Sequence, residues 1–373
     1  MKKKIFIIAG ESSGDMHAAN MVKALYHYDS ELEIKGFGGE KMADAGVQLL
    51  RTLDKLSLMG FVEIIKHLKT IKENFVIAKR EISRMKPDLL ILIDYPGFNL
   101  RMAKWAKSQG IKVYWYIAPQ VWAWGKKRIE KMKKYIDKLF VILPFEQDFF
   151  SAAGIETVYT GHPLMEEIAS FETDSKFLIK NKIPTGKKLI AFFPGSRISE
   201  IKRNIAPVVP VIKKNQNFFF LIAAKSTLPQ ESFEQLKDLG NAKVIYDQNY
   251  EIMTAADAGI IKSGTSTLEA ALFDLPQLVI YKVNFFSYLI AKMLVKIKFA
   301  SLVNLILEKE AIKELLQYDC NSNNIDEQLH LLFDKVNRNA ILQDYHTLKN
   351  KLKKTEYASG TIAKIILEDL NSK

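Results

Sequence analysis

The run Ser263-Gly264-Thr265-Ser266-Thr267-Leu268-Glu269 lies between apolar Ile260-Ile261 and the stop Asp274-Leu275-Pro276, so a strand should end there and a helix begin. The first N–H groups of a helix have no intrahelical partner and sit at the positive end of its dipole, which favours a phosphate just beyond the turn. Gly264 allows close approach of the backbone, and Ser263, Thr265 and Ser266 offer hydroxyl donors. Glu269 would repel a phosphate but suits the two hydroxyls of a ribose, so the natural ligand is a nucleotide. The competing reading is a capping box, Ser266-x-x-Glu269, and for this motif in isolation capping is the commoner outcome.

A second loop of the same kind is Pro194-Gly195-Ser196-Arg197. Arg197 is placed to clamp a pyrophosphate with both arms of its guanidinium, and Gly195 again permits close approach. The alternative is that Arg197 pairs with Glu200 on the following helix. Two anion-binding loops in one half of the chain shift the balance towards a nucleotide diphosphate held by Gly195, Ser196, Arg197, Ser263, Gly264, Thr265, Ser266 and Glu269.

The first half has three further loops rich in chemistry: Gly10-Glu11-Ser12-Ser13-Gly14-Asp15-Met16-His17, Asp94-Tyr95-Pro96-Gly97-Phe98-Asn99, and Ala118-Pro119-Gln120-Val121-Trp122-Ala123-Trp124. The spacing Gly10-x-x-x-Gly14 is not that of a dinucleotide fingerprint, so the first loop reads as a polar turn before a helix.

The elements that must position these loops follow from hydrophobic periodicity. Short β-branched runs alternate with helical patterns, the mark of a parallel sheet wound with helices. Strands are expected at 5–9, 33–37, 89–94, 112–117, 139–143 and 157–160, then, after a polar, turn-rich stretch, at 189–193, 218–223, 243–246, 258–261 and 277–281. The fold class is therefore α/β, two wound parallel-sheet, Rossmann-like domains facing across a cleft. The expected limits are 1–168, a linker at 169–188, and 189–354, with the apolar helix 355–370 docking back on the first domain. Functional loops then follow the C-terminal ends of strands, where all five lie.

Composition narrows the partners. The chain has 373 residues, 54 Lys and Arg against 42 Asp and Glu, and a formal charge of +12, so it is drawn to something anionic. The single Cys320 excludes a disulfide framework and a cysteine-based zinc cluster. No run of about 18 uncharged apolar residues is present, and the Lys2-Lys3-Lys4 start leads into a strand rather than a signal peptide. No interleaving of aromatic and basic residues marks a nucleic-acid module, so no nucleic-acid partner is expected.

In order along the chain, Gly10–Asp15, Leu58-Met59-Gly60-Phe61-Val62-Glu63, Ile93–Asn99, Pro119–Trp124, Leu143-Pro144-Phe145-Glu146, Gly161-His162-Pro163, Pro194–Arg197 and Ser263–Glu269 resemble the motifs of the lipid-A-disaccharide synthase family. The resemblance implies a GT-B type glycosyltransferase. It would move 2,3-diacylglucosamine from its UDP conjugate to 2,3-diacylglucosamine 1-phosphate (lipid X) with inversion, giving a β-1,6-linked disaccharide and UDP, with neither metal nor cofactor. It further implies that Asp94 is the candidate base for the acceptor 6-hydroxyl; His17, the only histidine in a glycine-bounded loop, is the rival and ranks second because the family does not hold a histidine there consistently, and on physical grounds Arg197 can hold the leaving-group charge. The acceptor is expected against Glu11, Ser12, Gly14, Asp15, Asn99 and Gln120. Many members carry a second Asp where this chain has Gly97. Acylated substrates imply peripheral attachment to the cytoplasmic face of the inner membrane. The helix from Phe61, with Val62, Ile64, Ile65, Leu68 and Ile71 interleaved with Lys66, Lys69 and Lys72, is then expected to lie in the headgroup layer. A homo-oligomer is compatible with this picture. The alternative is another UDP-sugar transferase or epimerase of the same fold with a soluble substrate.

Overall fold

The structure, a computed structural model, describes residues 2–53, 56, 68–122, 126–283 and 298–372. The chain divides into two compact units, Met1–Glu166 with Leu352–Lys373, and Glu167–Lys351.

The first unit is built on seven parallel strands: β1 (Lys4–Ala9), β2 (Glu33–Gly38), β3 (Gln48–Thr52), β4 (Leu89–Ile93), β5 (Lys112–Tyr116), β6 (Lys138–Val141) and β7 (Thr157–Tyr159), in the order β3-β2-β1-β4-β5-β6-β7. β4 reads Leu-Leu-Ile-Leu-Ile and is wholly buried, as a strand covered by helices on both faces must be. Ile5, Ile7 and Ala9 pack on one face with Ile91 and Ile93, while Phe6 and Ile8 pack on the other with Leu90 and Leu92. Each of these Ile, Leu and Phe side chains contributes roughly 1.5–3 kcal/mol by burial. The C-terminal helix, Ala358–Asn371, joins the first face through Ile362, Ala363, Ile366 and Leu370.

The second unit repeats the plan with β8 (Lys188–Phe193), β9 (Phe218–Ala224), β10 (Ala242–Tyr246), β11 (Ala258–Lys262), β12 (Gln277–Tyr281) and β13 (Glu314–Leu316), ordered β10-β9-β8-β11-β12-β13, all parallel. In both sheets the strand order reverses beside the first strand, between β1 and β4 and between β8 and β11. The crevice beyond the strand ends at such a reversal is where open α/β sheets take their ligands.

Two edge strands, β3 and β13, were not expected. β3 exposes or half-exposes every residue and β13 has three residues, so neither carries an apolar run. Val62, Ile64 and Ile65 lie outside the described residues, as do Leu58–Glu63 as a whole and Trp124. Leu68 opens the helix Leu68–Met85. Ile71 corrects the expected lipid-facing stripe: it is half-buried against the unit's own core, because Ile71, Phe75, Ala78 and Ile82 fall on one helical face that packs there.

Candidate functional site

β1 and β4 pair with Ala9 opposite Ile93, which brings Gly10 and Asp94 side by side at the reversal. Asp94 and Tyr95 both have left-handed backbones, φ 43° and 50°, and Ile117, at the end of the neighbouring β5, has φ 65°. Left-handed geometry is uncommon for a side-chain-bearing residue and an outlier for a β-branched one. Three such residues on two adjacent strand ends mark a site where the fold accepts strain to aim a group.

The restraints that hold Asp94 are visible. Its N–H donates to Tyr116 O at 3.0 Å. Buried Asn99 donates through Nδ2 to Asp94 O at 2.8 Å and to Ile93 O at 3.2 Å. Tyr95 stacks on Phe98, and Phe98 on Phe75. The Tyr95 hydroxyl donates to Leu56 O at 3.1 Å, and its ring lies 2.4 Å from where a Cβ on Gly10 would stand, so residue 10 must be glycine. The Asp94 carboxyl is half-buried and its pKa is raised to about 6, chiefly by burial and then by the charge of Glu11, against an opposing hydrogen bond from the Tyr95 backbone. A carboxylate with that pKa is ionised at neutral pH yet basic enough to take a proton in a transition state.

His17, the rival base, is placed differently. Burial, reinforced by Lys41, lowers its pKa to about 4, and its Nδ1 finds no hydrogen-bond partner among the described residues. Its ring meets Tyr116 edge-on at 6.5 Å. At neutral pH His17 is an uncharged and weak base.

The first loop is shorter than expected. The helix Ser12–Tyr28 begins at once, so Gly14, Asp15 and His17 are helical. Gly14 is buried where the helix lies on the sheet, and a Cβ there would meet Ala9 Cβ and Ile93 Cγ2 at 3.6 Å, an ordinary contact, so neither a turn nor the packing requires a glycine. Buried Asp15 accepts N–H bonds from Gly39 at 2.6 Å and from Lys41 and Met42 at 3.2 Å, which occupies it in tying down the short helix Glu40–Asp44. Asp15 is therefore committed to the fold, and Asn99 acts through the backbone of Asp94. Glu11, Ser12 and Gln120 are exposed. Among the described residues nothing lies within 4 Å of where a Cβ on Gly97 would stand, so none of their side chains takes up the position of the second Asp.

Glu146, quoted in the Leu143–Glu146 motif but given no role there, is buried in the first turn of the helix Pro144–Ala152 that follows β6. It accepts from Trp122 Nε1 at 3.0 Å and Leu143 N–H at 3.1 Å, and burial raises its pKa to about 7. It ties the loop after β5 to the loop after β6, and Trp122 beside it was the signal.

In the second unit β8 and β11 pair with Phe193 opposite Ile261, which sets the Pro194 loop beside Lys262 and Ser263. Gly195 has φ 120°, a conformation that demands glycine. Asn204 holds the loop through Nδ2 to Pro194 O at 2.7 Å. Arg197 precedes the helix Ile198–Lys214 and does pair with Glu200, Nη1 to Oε1 at 3.2 Å, but its side chain is 78% exposed and free to swing. Exposed Ser196 lies beside it.

The other loop corrects two expectations. The helix Thr265–Leu272 has Gly264 at its N-cap, so Ser266 is inside the helix and the capping box does not form; Ser266 instead hydrogen-bonds the Glu269 carboxyl. The Ser263 hydroxyl is spent on Ala300 O at 2.6 Å, which leaves exposed Gly264 and Thr265 and half-buried Ser266 for a ligand. Glu269 lines a cavity of about 430 Å³ with Glu167, Phe171, Lys225, Asp247 and Tyr250. Its pKa is raised to about 7 by burial and then by Glu167, against the Ser266 hydrogen bond and Lys225. A cavity of this size takes a nucleoside.

Asn99→Ala tests the support of Asp94. Loss of both amide bonds frees the left-handed turn, and kcat is expected to fall by about 10²-fold, as for a misplacement of about 1 Å, with nucleotide affinity unchanged in a titration of the same variant.

A family model described as lipid-A-disaccharide synthetase matches residues 5–366. Lipid-A-disaccharide synthase 1 of Legionella pneumophila subsp. pneumophila is 38% identical over 378 residues, covering 99% of this chain and 98% of the relative. The solved glycotransferase of kitacinnamycin superposes with a TM-score of 0.69 at 11% identity, covering 99% of this chain and 100% of its own. The S. aureus MnaA–UDP co-structure gives 0.70 at 15% identity, covering 99% and 97%. At these identities the superpositions establish the fold, two parallel-sheet α/β domains of GT-B type.

Proposed function

The chain belongs to the lipid-A-disaccharide synthase family, glycosyltransferases of lipid A biosynthesis, and from that premise we propose how its residues divide the work. The donor, UDP-2,3-diacylglucosamine, is held by the second unit. Its uridine ribose lies against Glu269 in the cavity, and its diphosphate meets Arg197 and the backbone N–H groups of the loops at Gly195 and Gly264–Ser266. The acceptor, 2,3-diacylglucosamine 1-phosphate, is held by the first unit near Glu11, Ser12 and Gln120.

Asp94 takes the proton of the acceptor 6-hydroxyl as that oxygen attacks the anomeric carbon. The bond from that carbon to the diphosphate oxygen breaks on the opposite face, the configuration inverts, and the electron pair leaves with UDP. Preorganised donors aimed at the departing phosphate stabilise this charge without rearranging as the reaction proceeds. The observation that carries the assignment is Asp94 itself, a carboxyl of raised pKa in a strained turn at the sheet reversal. Among the described residues no helix is long and apolar enough to cross a membrane. The net charge of +12 supports attachment to an anionic membrane surface, where both acylated substrates reside.

Competition between donors tests the reading. UDP-2,3-diacylglucosamine is expected to be turned over with lipid X at least about 10²-fold faster than UDP-N-acetylglucosamine, a margin typical of differential transition-state binding. Equal rates would favour the transferase or epimerase with a soluble substrate. Glu269 has its own test, with uridine as probe to remove phosphate ionisation. Only the carboxylate accepts both ribose hydroxyls, so affinity should rise as pH is raised through about 7. In Glu269→Gln, affinity should be about tenfold lower and flat with pH, read by calorimetry.

A further inference from the structure

We propose that Lys262 is a second phosphate-binding cation of the donor site, and that Glu200 is an internal counter-ion which holds Lys262 and Arg197 until the donor diphosphate displaces it. The proposal rests on the nucleotide site described above and adds to it two residues of this chain.

A single carboxylate oxygen draws both cations. Glu200 Oε1 lies 3.2 Å from Arg197 Nη1 and 3.4 Å from Lys262 Nζ. Arg197 comes from the loop after β8, and Lys262 is the last residue of β11, so the carboxylate bridges the two loops that flank the sheet reversal. Lys262 is drawn in where Arg197 is not: its side chain is 19% exposed, that of Glu200 13%, and that of Arg197 78%. The Lys262 ammonium lies over the Tyr281 ring at 5.5 Å and 4.0 Å from where a Cβ on Gly264 would stand, against the N-cap of the helix Thr265–Leu272. A half-buried lysine at a strand end is costly unless an anion answers it, and two cations facing one carboxylate leave an unbalanced positive charge.

The other half of Glu200 shows that the pairing is provisional. Oε2 is buried and accepts no hydrogen bond from the described residues, and it lies 2.9 Å from where a Cβ on Gly195 would stand. A permanent structural ion pair is normally satisfied at both oxygens. Here one oxygen serves two cations and the other serves none. A diphosphate has several charged oxygens, meets a guanidinium and an ammonium at once, and can draw both away from Glu200.

Binding of UDP and of uridine to the full chain separates the possibilities. Lys262→Gln should weaken UDP by about tenfold, the effect of one charge-assisted bond, and leave uridine unchanged, while Lys262→Arg retains UDP affinity. Glu200→Gln should tighten UDP by about threefold and again leave uridine unchanged, because an internal competitor for the two cations has been neutralised. The proposal is overturned if Lys262→Gln binds UDP like the wild type, if it weakens uridine equally, or if Glu200→Gln weakens UDP. Failure of the underlying nucleotide-site reading looks different: the unaltered protein would then bind UDP no more tightly than uridine.

Discussion

Replacing Asp94 by Asn is expected to lower kcat by about 10³-fold while UDP affinity stays at the wild-type value, since a positioned general base contributes about 10²- to 10⁴-fold. The substitution keeps the shape of the side chain, and the bonds from Asn99 go to backbone carbonyls, so the turn survives it. What is lost is the lone pair that takes the 6-hydroxyl proton. The neighbouring Glu11 carboxylate raises the basicity of Asp94 but is exposed on another loop. It is not expected to substitute for Asp94, so the residual rate should be that of bound, unactivated substrates. Turnover near the wild-type rate would remove the base from the mechanism.

Arg197→Ala is the second large effect. The guanidinium is expected to meet charge that grows on the diphosphate as the sugar departs, so its loss should lower kcat/KM by about 10²-fold, comparable to removal of one preorganised donor. Stability should hardly change, because an exposed pair such as Arg197–Glu200 contributes no more than about 1 kcal/mol. A thermal melt beside the kinetics separates the two. A fall in kcat/KM without a fall in melting temperature supports the assignment, and an unchanged kcat/KM means that Arg197 serves only Glu200.

The loops that carry Asp94 and Arg197, and the turn before the helix of Glu269, were legible in the sequence because each follows an apolar run with polar residues and glycine, and the wound sheet fixes where such loops emerge. Their supports were not. Asn99 reads as one more polar loop residue, and only its 2.8 Å bond to Asp94 O reveals its purpose. Gly14 and Asp15 were expected in a polar turn, whereas both lie in the helix that packs on β1 and β4, and Asp15 points at backbone N–H groups 24 to 27 residues away. Ser266-x-x-Glu269 has capping spacing, but a helix capped by Ser266 would begin at Thr267, and this one begins two residues earlier, at Thr265. Lys262, between Ile261 and Ser263, carries no signal in the sequence, because its meaning depends on Glu200, which the pairing of β8 with β11 brings near. Sequence spacing shows which loops carry chemistry. Contacts across the sheet decide which of their residues are free to perform it.

The pH dependence of kcat/KM with both lipid substrates tests the central assignment most directly, because it reports the free protein's essential base. The base acts deprotonated, so in a Glu269→Gln background, which removes the limb near 7 expected from Glu269, kcat/KM should rise with pH along a limb centred on about 6, fall about tenfold for each unit below it, and lose that limb when Asp94→Asn is added. A limb centred on about 4 would reassign the base to His17, and a limb near 6 that persists in Asp94→Asn would contradict the role given to Asp94.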